Sequence, residues 1–126
     1  MIVELVSVGT ELLLGNIVNT NTQYLAEQCA LLGLSLYHQS VVGDNHDRMA
    51  EVVKTALGRS DVVILTGGLG PTEDDLTKEV CAEVMGYKLV EDPHTREHLE
   101  QFFKNNIYKE IPDNNWKQAM VPEVYP

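Results

Sequence analysis

The segment Thr66-Gly67-Gly68-Leu69-Gly70 places three glycines within four residues, and Asp74 and Asp75 follow it closely. Glycine has no Cβ, so its backbone can take positive φ and come close to a ligand. Successive N–H groups in such a turn can point into one concavity and bind phosphate oxygens. A helix that follows adds the positive end of its dipole. Two adjacent carboxylates beside a bound phosphate would repel it unless a cation intervenes. Mg²⁺ or a similar divalent cation is therefore expected, held by one or two carboxylates together with ligand phosphates. Asp75 is the first candidate to hold it and Asp44 the second. The blander readings are that the glycines only turn a buried strand, that Asp75 caps the next helix with Thr77 in its first turn, and that Asp44 is an ordinary loop residue. The chain has no GxxxxGK[ST] and no GxGxxG after its first strand, so neither common phosphate fingerprint applies.

Other residues have weaker claims. Thr10 and Glu11 follow the first strand and could contact a ligand or solvent. Asn19 and Asn21 could cap a helix or bind a ribose or base. His94 and His98 have the i, i+4 spacing of metal ligands. They lack a third partner, and an exposed helix face accounts for them better. Cys29 and Cys81 stand alone, with no CxxC and no disulfide framework, and read as reduced, buried thiols.

The elements that must position these residues alternate. Ile2–Val8 is a short, mostly apolar run and reads as a strand. A loop to Asn19 follows, then a helix with Leu25, Cys29 and Leu32 at helical spacing, stopped at Gly33. Residues 34–42 read as a second strand. Asp47 can cap a helix carrying Met49, Val52, Val53, Ala56 and Leu57, which Gly58 ends. Asp61–Thr66 is the clearest strand, with the all-apolar centre expected of a central parallel strand. Further helices are expected from about Leu76 to Met85 and, with Asp92-Pro93 as cap and first position, to about Asn105. A short extended segment near residues 87–90 lies between them. The tail from Asn106 to Pro126 reads as irregular, with one helical turn around Trp116–Ala119. The order βαβαβα predicts parallel strands with helical crossovers, a three-layer α/β/α domain. If strand one lies between strands two and three, the loops bearing Thr10, Glu11 and the glycine turn face one crevice.

With 126 residues the chain is one domain's length. Hydrophobic residues at 44% suffice for a core, and few aromatics (6%) make that core aliphatic. A net charge of −10 argues against a nucleic-acid surface, which needs clustered Lys and Arg. It leaves room for a small phosphorylated ligand bound by backbone amides and a cation. No signal peptide and no membrane-length apolar run is visible, so a cytoplasmic location is expected.

The residues Val8-Gly9-Thr10-Glu11-Leu12-Leu13-Leu14-Gly15, Asn19-Thr20-Asn21, Val42-Gly43-Asp44 and Thr66-Gly67-Gly68-Leu69-Gly70-Pro71-Thr72-Glu73-Asp74-Asp75-Leu76-Thr77 resemble the N-terminal domain of the competence/damage-inducible protein A (CinA) family. That domain belongs to the molybdopterin-binding superfamily, with the MoaB- and MogA-like proteins of molybdenum-cofactor biosynthesis. Asn115-Trp116-Lys117-Gln118-Ala119 with Pro122 is similar too. The resemblance implies a metal-dependent pyrophosphatase acting on ADP-ribose, aided by potassium, in pyridine-nucleotide salvage. It matches Asp44 and Asp75 to essential acidic, metal-holding positions. Thr66, Gly67, Gly68 and Gly70 match the phosphate-binding turn, and Thr10, Glu11, Asn21 and Thr77 match ligand-lining positions. Family members continue past the segment matching Pro122 into another strand and a second glycine-containing loop, and often add a deamidase domain. The chain is thus expected to be an incomplete domain, with an unpaired sheet edge and a homo-oligomeric state. Two other uses of the site stay open: binding or adenylylating molybdopterin, and binding a nucleotide or partner without turnover.

Overall fold

A computed structural model describes residues 1–104 and 113–123. Three parallel strands, β1 (Ile2–Val8), β2 (Ser35–Val42) and β3 (Val62–Thr66), form a sheet in the order β2-β1-β3. With β1 in the middle, crossovers of one hand place helices on both faces of the sheet. Register runs from Ile2 opposite Ser35 to Val8 opposite Val42 on one side, with an irregularity between Val3 and Glu4. On the other side it runs from Val3 opposite Val62 to Ser7 opposite Thr66.

Side chains alternate across β1, and each face meets its own helix layer. Val3 and Leu5 pack with Cys29 of α2 (Thr20–Leu31), together with Val62 and Ile64. Val6 and Val8 pack with Met49, Val53 and Ala56 of α3 (His46–Arg59) and Val80 of α4 (Thr77–Met85), together with Val63 and Leu65. The α/β/α layering expected from the sequence is present.

One expectation about β3 fails. Its apolar run does not make it central; β1 is central and β3 flanks it. The run is apolar because helices cover both faces, Val62 and Ile64 meeting one layer and Val63 and Leu65 the other. Conversely β1 carries the buried polar residues Glu4 and Ser7 and is still central, because each has partners.

Local boundaries also differ. A four-residue helix, α1 (Thr10–Leu13), occupies part of what reads as a loop. Asn45, not Asp47, caps α3 by accepting from the Arg48 N–H at 3.0 Å. The helix runs through Gly58 to Arg59, whose guanidinium pairs with Glu4. Asn19 caps α2 as expected, accepting from Thr22 N–H at 3.2 Å. A second, antiparallel pair joins β4 (Leu89–Glu91) to β5 (Met120–Pro122). Between them lie α5 (Pro93–Lys104), capped by Asp92 through Thr95, and a 3₁₀ helix (Asp113–Ala119). The expected helical turn near Trp116 is this 3₁₀ helix, and Arg96 lies 4.7 Å over the Trp116 ring. The remaining parts of the expected irregular tail, residues 106–112 and 124–126, lie outside the described residues.

Candidate functional site

The carboxyl ends of β1, β2 and β3 deliver three adjacent loops, and the β3 loop is the most constrained. Gly67 and Gly68 both lie in the left-handed region, at φ of 89° and 68°. A Cβ on Gly67 would sit 2.2 Å from the Val8 carbonyl oxygen, and one on Gly68 would sit 2.1 Å from Thr77 Oγ1. Glycine is required at both positions by conformation and by space.

Thr77 fixes which way the turn's amides face. Its hydroxyl donates to Gly67 O at 2.7 Å, and its N–H donates to Gly68 O at 3.2 Å. In a trans peptide the C=O and the following N–H point in opposite directions. Drawing the Gly67 and Gly68 carbonyls toward α4 therefore turns the N–H groups of Gly68 and Leu69 away from it. Among the described residues, nothing accepts a hydrogen bond from the N–H of Gly67, Gly68 or Leu69. Gly67 and Leu69 are exposed. The turn thus presents unused donors at the mouth of the sheet.

Thr77, 3% exposed, thus acts on the turn. The first N–H of α4 is taken by Gly68 O and supports the turn too. One expectation is corrected here: Asp75 does not cap α4, because Leu76 occupies the cap position with no side-chain bond. The Asp75 carboxylate instead accepts from Thr72 Oγ1 at 2.6 Å and Thr72 N–H at 3.1 Å, closing the loop. The Thr72 hydroxyl, the amides of Thr72 and Gly70 and the charge of Lys117 hold its carboxyl below the usual range against partial burial, so it is ionised. Gly70 passes close over this carboxylate: a Cβ there would lie 2.7 Å from Asp75 Oδ2.

Asp44 sits on the far side of β1. Its carboxylate accepts from the Thr10 hydroxyl at 3.1 Å, and its N–H donates to the same hydroxyl oxygen at 3.2 Å. Thr10 thereby ties the β1 and β2 loops together. The β2 and β3 loops are separated by two strand spacings, about 10 Å, and no bond among the described residues joins Asp44 to Asp75. Nor do three His, Cys, Asp or Glu side chains gather into a metal cage among the described residues.

A cleft of about 210 Å³ opens between the β3 turn and the segment leading into α2. Thr66, Gly67, Glu11, Ile17, Val18 and Asn21 are among the residues that line it. Thr10, Asp44, Gly68, Gly70, Asp75 and Thr77 do not. A larger hollow, about 550 Å³, lies between α3 and α4. It is walled by long charged side chains such as Glu51, Lys54 and Glu83, and none of the strand-end loops reaches it. The i, i+4 pair His94 and His98 lies on exposed α5, as the blander reading holds.

Three supporting residues escaped sequence reasoning. Ser7, 2% exposed in β1, lies 2.7 Å from Thr22 Oγ1 and accepts from Asn19 Nδ2 at 2.9 Å, anchoring the start of α2 beside the cleft. A polar residue inside a mostly apolar strand was the available signal. Lys117 donates to the backbone carbonyls of Thr72 (2.7 Å) and Asp75 and lies 3.8 Å from Glu79. Lys78 in turn donates to Lys117 O at 2.6 Å, with its ammonium pKa pushed down by burial. The contact from Lys117 to Thr72 spans 45 positions, and no local pattern announces it.

Comparison with known proteins fits this geometry. Residues 4–123 match the family model described as "Probable molybdopterin binding domain". A "Putative competence-damage inducible protein" of Clostridium acetobutylicum is 52% identical over 123 residues. The match covers 98% of this chain and 30% of that protein, so the chain spans under a third of the relative's length. The crystal structure of the protein CinA, of unknown function, from Thermoplasma acidophilum superposes with a TM-score of 0.84. It is 31% identical over 97% of this chain and 70% of the other. The molybdopterin biosynthesis enzyme MoaB of Thermus thermophilus shares the fold at 17% identity and a TM-score of 0.63, over 96% of this chain and 78% of that one. No helix among the described residues is long and apolar enough to cross a membrane. The chain belongs to the molybdopterin-binding domain family, in its CinA-type branch.

Proposed function

We propose that the domain binds the diphosphate of a nucleotide at the Gly67–Leu69 turn and hydrolyses it, with ADP-ribose as substrate, in salvage of pyridine nucleotides. The observation that carries this reading is the set of outward N–H groups, held without acceptors by the two donors of Thr77. Such preorganised donors stabilise charge developing on phosphate oxygens without reorganising during the reaction. Water would attack one phosphorus while the bridging P–O bond breaks, giving AMP and ribose 5-phosphate and releasing a proton to solvent.

A divalent cation, when bound, neutralises phosphate charge and polarises the P–O bond. The donors fit a hard cation such as Mg²⁺, since both candidates are carboxylates. They fit it as a cation shared with the ligand: one aspartate plus phosphate oxygens, in the manner usual for Mg²⁺. Asp75, ionised and beside the turn, is the better placed, and Asp44 lies across β1. Potassium is a further expectation, checked by replacing potassium salts with choline chloride. β2 and β3 each keep one outer edge without a strand among the described residues. A homo-oligomer that covers an edge is therefore part of the proposal, and light scattering reads it directly.

The test is Asp75→Asn in the full chain, assayed for AMP release from ADP-ribose with Mg²⁺. The amide can still accept from Thr72, so the loop should survive, while turnover should fall at least about 100-fold with binding retained. Unchanged turnover removes the assignment. The family description and the MoaB-like fold favour a second reading, in which the same turn holds the phosphate of molybdopterin. Tight molybdopterin binding with no AMP release from ADP-ribose would select it.

A further inference from the structure

One stretch of the chain is set apart by its lack of charge. The whole chain is 22% charged, yet between Glu11 and Asp44 the one Asp, Glu, Lys or Arg is Glu27. That stretch builds α2 and β2. α3, of similar length to α2, carries Asp47, Arg48, Glu51, Lys54 and Arg59. The uncharged stretch also exposes large apolar side chains: Tyr24 is 61% exposed, Leu31 80%, Leu32 73% and Tyr37 69%. Cys29 of α2 is buried against β1. α2 is thus apolar away from the sheet as well as against it, the pattern of a helix covered on more than one side.

β2 adds an open edge to this surface. No strand among the described residues pairs with its outer side. Proteins commonly guard such edges with Lys or Pro, and β2 has neither. Its register is irregular at the start, opposite Val3 and Glu4, and regular from His38 to Val42. The Val42 carbonyl faces the end of β1, accepting from Gly9 N–H at 2.9 Å. Backbone groups of alternate residues in a strand point to opposite sides. Those of Gln39 and Val41, both exposed, therefore point outward. Leu34 N–H donates to Cys29 O at 2.9 Å, which keeps Leu31 and Leu32 beside the start of this edge. The β3 edge is different: five residues, half-buried throughout.

We propose that the outer edge of β2 pairs antiparallel with β2 of a second copy about a two-fold axis, joining two three-stranded sheets into one. A two-fold axis makes a single edge complementary to itself. Charge selects a second copy as the occupant. Two chains of −10 repel one another, and this is the face where each brings one carboxylate, Glu27, to the meeting. The inference rests on the homo-oligomer proposed above and names its edge and symmetry. The regular part of the edge is five residues, about 17 Å long. It buries less than the roughly 800 Å² per partner of a standard interface, so the dimer should dissociate in the micromolar range.

Sedimentation equilibrium of the full chain over a concentration series tests this. Gln39→Pro removes an outward N–H and leaves the ladder to β1, a place where an edge strand tolerates proline. Tyr37→Glu sets like charges on both copies. Met85→Glu, at a position 54% exposed on α4, is the control. Circular dichroism at concentrations below dissociation checks the fold, and Tyr37→Glu decides alone where Gln39→Pro does not fold. The wild type should pass from monomer to dimer, both edge variants should weaken the dimer at least about tenfold, and the control should match the wild type. A wild-type dimer that both edge variants leave unchanged overturns the β2 assignment and keeps an oligomer built elsewhere. A trimer overturns the two-fold pairing. A monomer at every concentration overturns this inference together with the oligomer it rests on, while ADP-ribose turnover is judged by its own assay.

Discussion

The two ends of the parallel sheet treat their polar groups in opposite ways. At the amino end, Glu4 is 1% exposed and takes three donors: Arg59 Nε at 3.0 Å, a terminal nitrogen of Arg59 at 2.8 Å and Ser60 Oγ at 2.8 Å. Ile2 N–H is met by the Asp61 carboxylate at 2.7 Å. At the carboxyl end, the turn's N–H groups and the Asn21 amide meet no acceptor or donor among the described residues. A buried carboxylate without partners would cost several kcal/mol, so the amino end must be closed for the chain to fold. The carboxyl end is exposed, where water satisfies its donors until a ligand replaces it. Full satisfaction marks the end that serves stability; ordered but unused donors mark the end that serves binding.

The sharpest way to break this contrast is Gly67→Ala. The added Cβ meets a backbone oxygen of the buried central strand, which cannot retreat, and the residue must also hold φ at 89°. Strain and overpacking together should cost about 4 kcal/mol. Thermal melting should show that loss, and phosphate-ligand binding should vanish. A stable, fully binding variant would mean that the turn is not as constrained as the geometry requires.

The amino end should respond in stability alone. Glu4→Gln removes the charge but keeps the shape. Arg59 is 39% exposed and can be hydrated once unpaired, so the cost falls below that of a fully buried pair, at about 2 kcal/mol. Arg59 and Ser60 hold the Glu4 carboxyl below its ordinary 4.5, against desolvation. Its contribution is therefore present above the unfolded-state value and is lost as pH falls through the lowered folded value. The wild-type advantage over Glu4→Gln should be full at neutral pH and shrink as pH falls through the lowered folded value, with ligand affinity equal in both at neutral pH. Altered affinity would show that the two ends are coupled.

Much of this contrast could be read in the sequence, and the part that could not is physically distinct. The period-two and helical patterns located β1, β2, β3 and the helices between them, because burial on a face is local in sequence. The glycine turn was legible because only glycine fits its backbone. The central position of β1 was not, since Glu4 and Ser7 make it look less buried than β3; their partners lie as far as 56 positions away. The bracing done by Thr77 and Asp75 was not legible, because Thr and Asp suit ligand contacts, caps and loop braces alike. Their bonds, to Gly67 O and to Thr72, depend on how the loop folds back. Lys117 reaches the loop only through tertiary packing, and helical or strand spacing carries no trace of it.

At the carboxyl end the carbonyl-orienting role of Thr77 can be isolated. Thr77→Val preserves volume and branching but removes the hydroxyl that holds Gly67 O. The valine leaves the backbone bond from position 77 to Gly68 O in place, so the turn should loosen without collapsing. Stability should fall by about 1 kcal/mol, the usual cost of one lost hydrogen bond whose acceptor water can partly reach. Freed of that bond, the Gly67–Gly68 peptide can rotate, and its N–H no longer points reliably outward. Phosphate affinity should therefore drop about tenfold, a partial loss that calorimetry resolves from the complete loss in Gly67→Ala. Equal affinity with reduced stability would show that Thr77 serves packing alone and that something else orients the amides.

The smallest effect is expected from Lys117→Met, which keeps the stem and removes the ammonium. Thr72 O and Asp75 O would lose their shared donor, but both lie in an exposed or half-exposed loop where water can replace it. The stability cost should be about 1 kcal/mol or less. The Asp75 carboxyl should rise toward its ordinary value only slightly, because Thr72, not Lys117, is the main cause of its depression. A chemical-shift titration of Asp75 in the variant would measure this. A large upward movement would mean that Lys117 governs the charge of the site, and that the carboxyl end, like the amino end, is built around a paired cation.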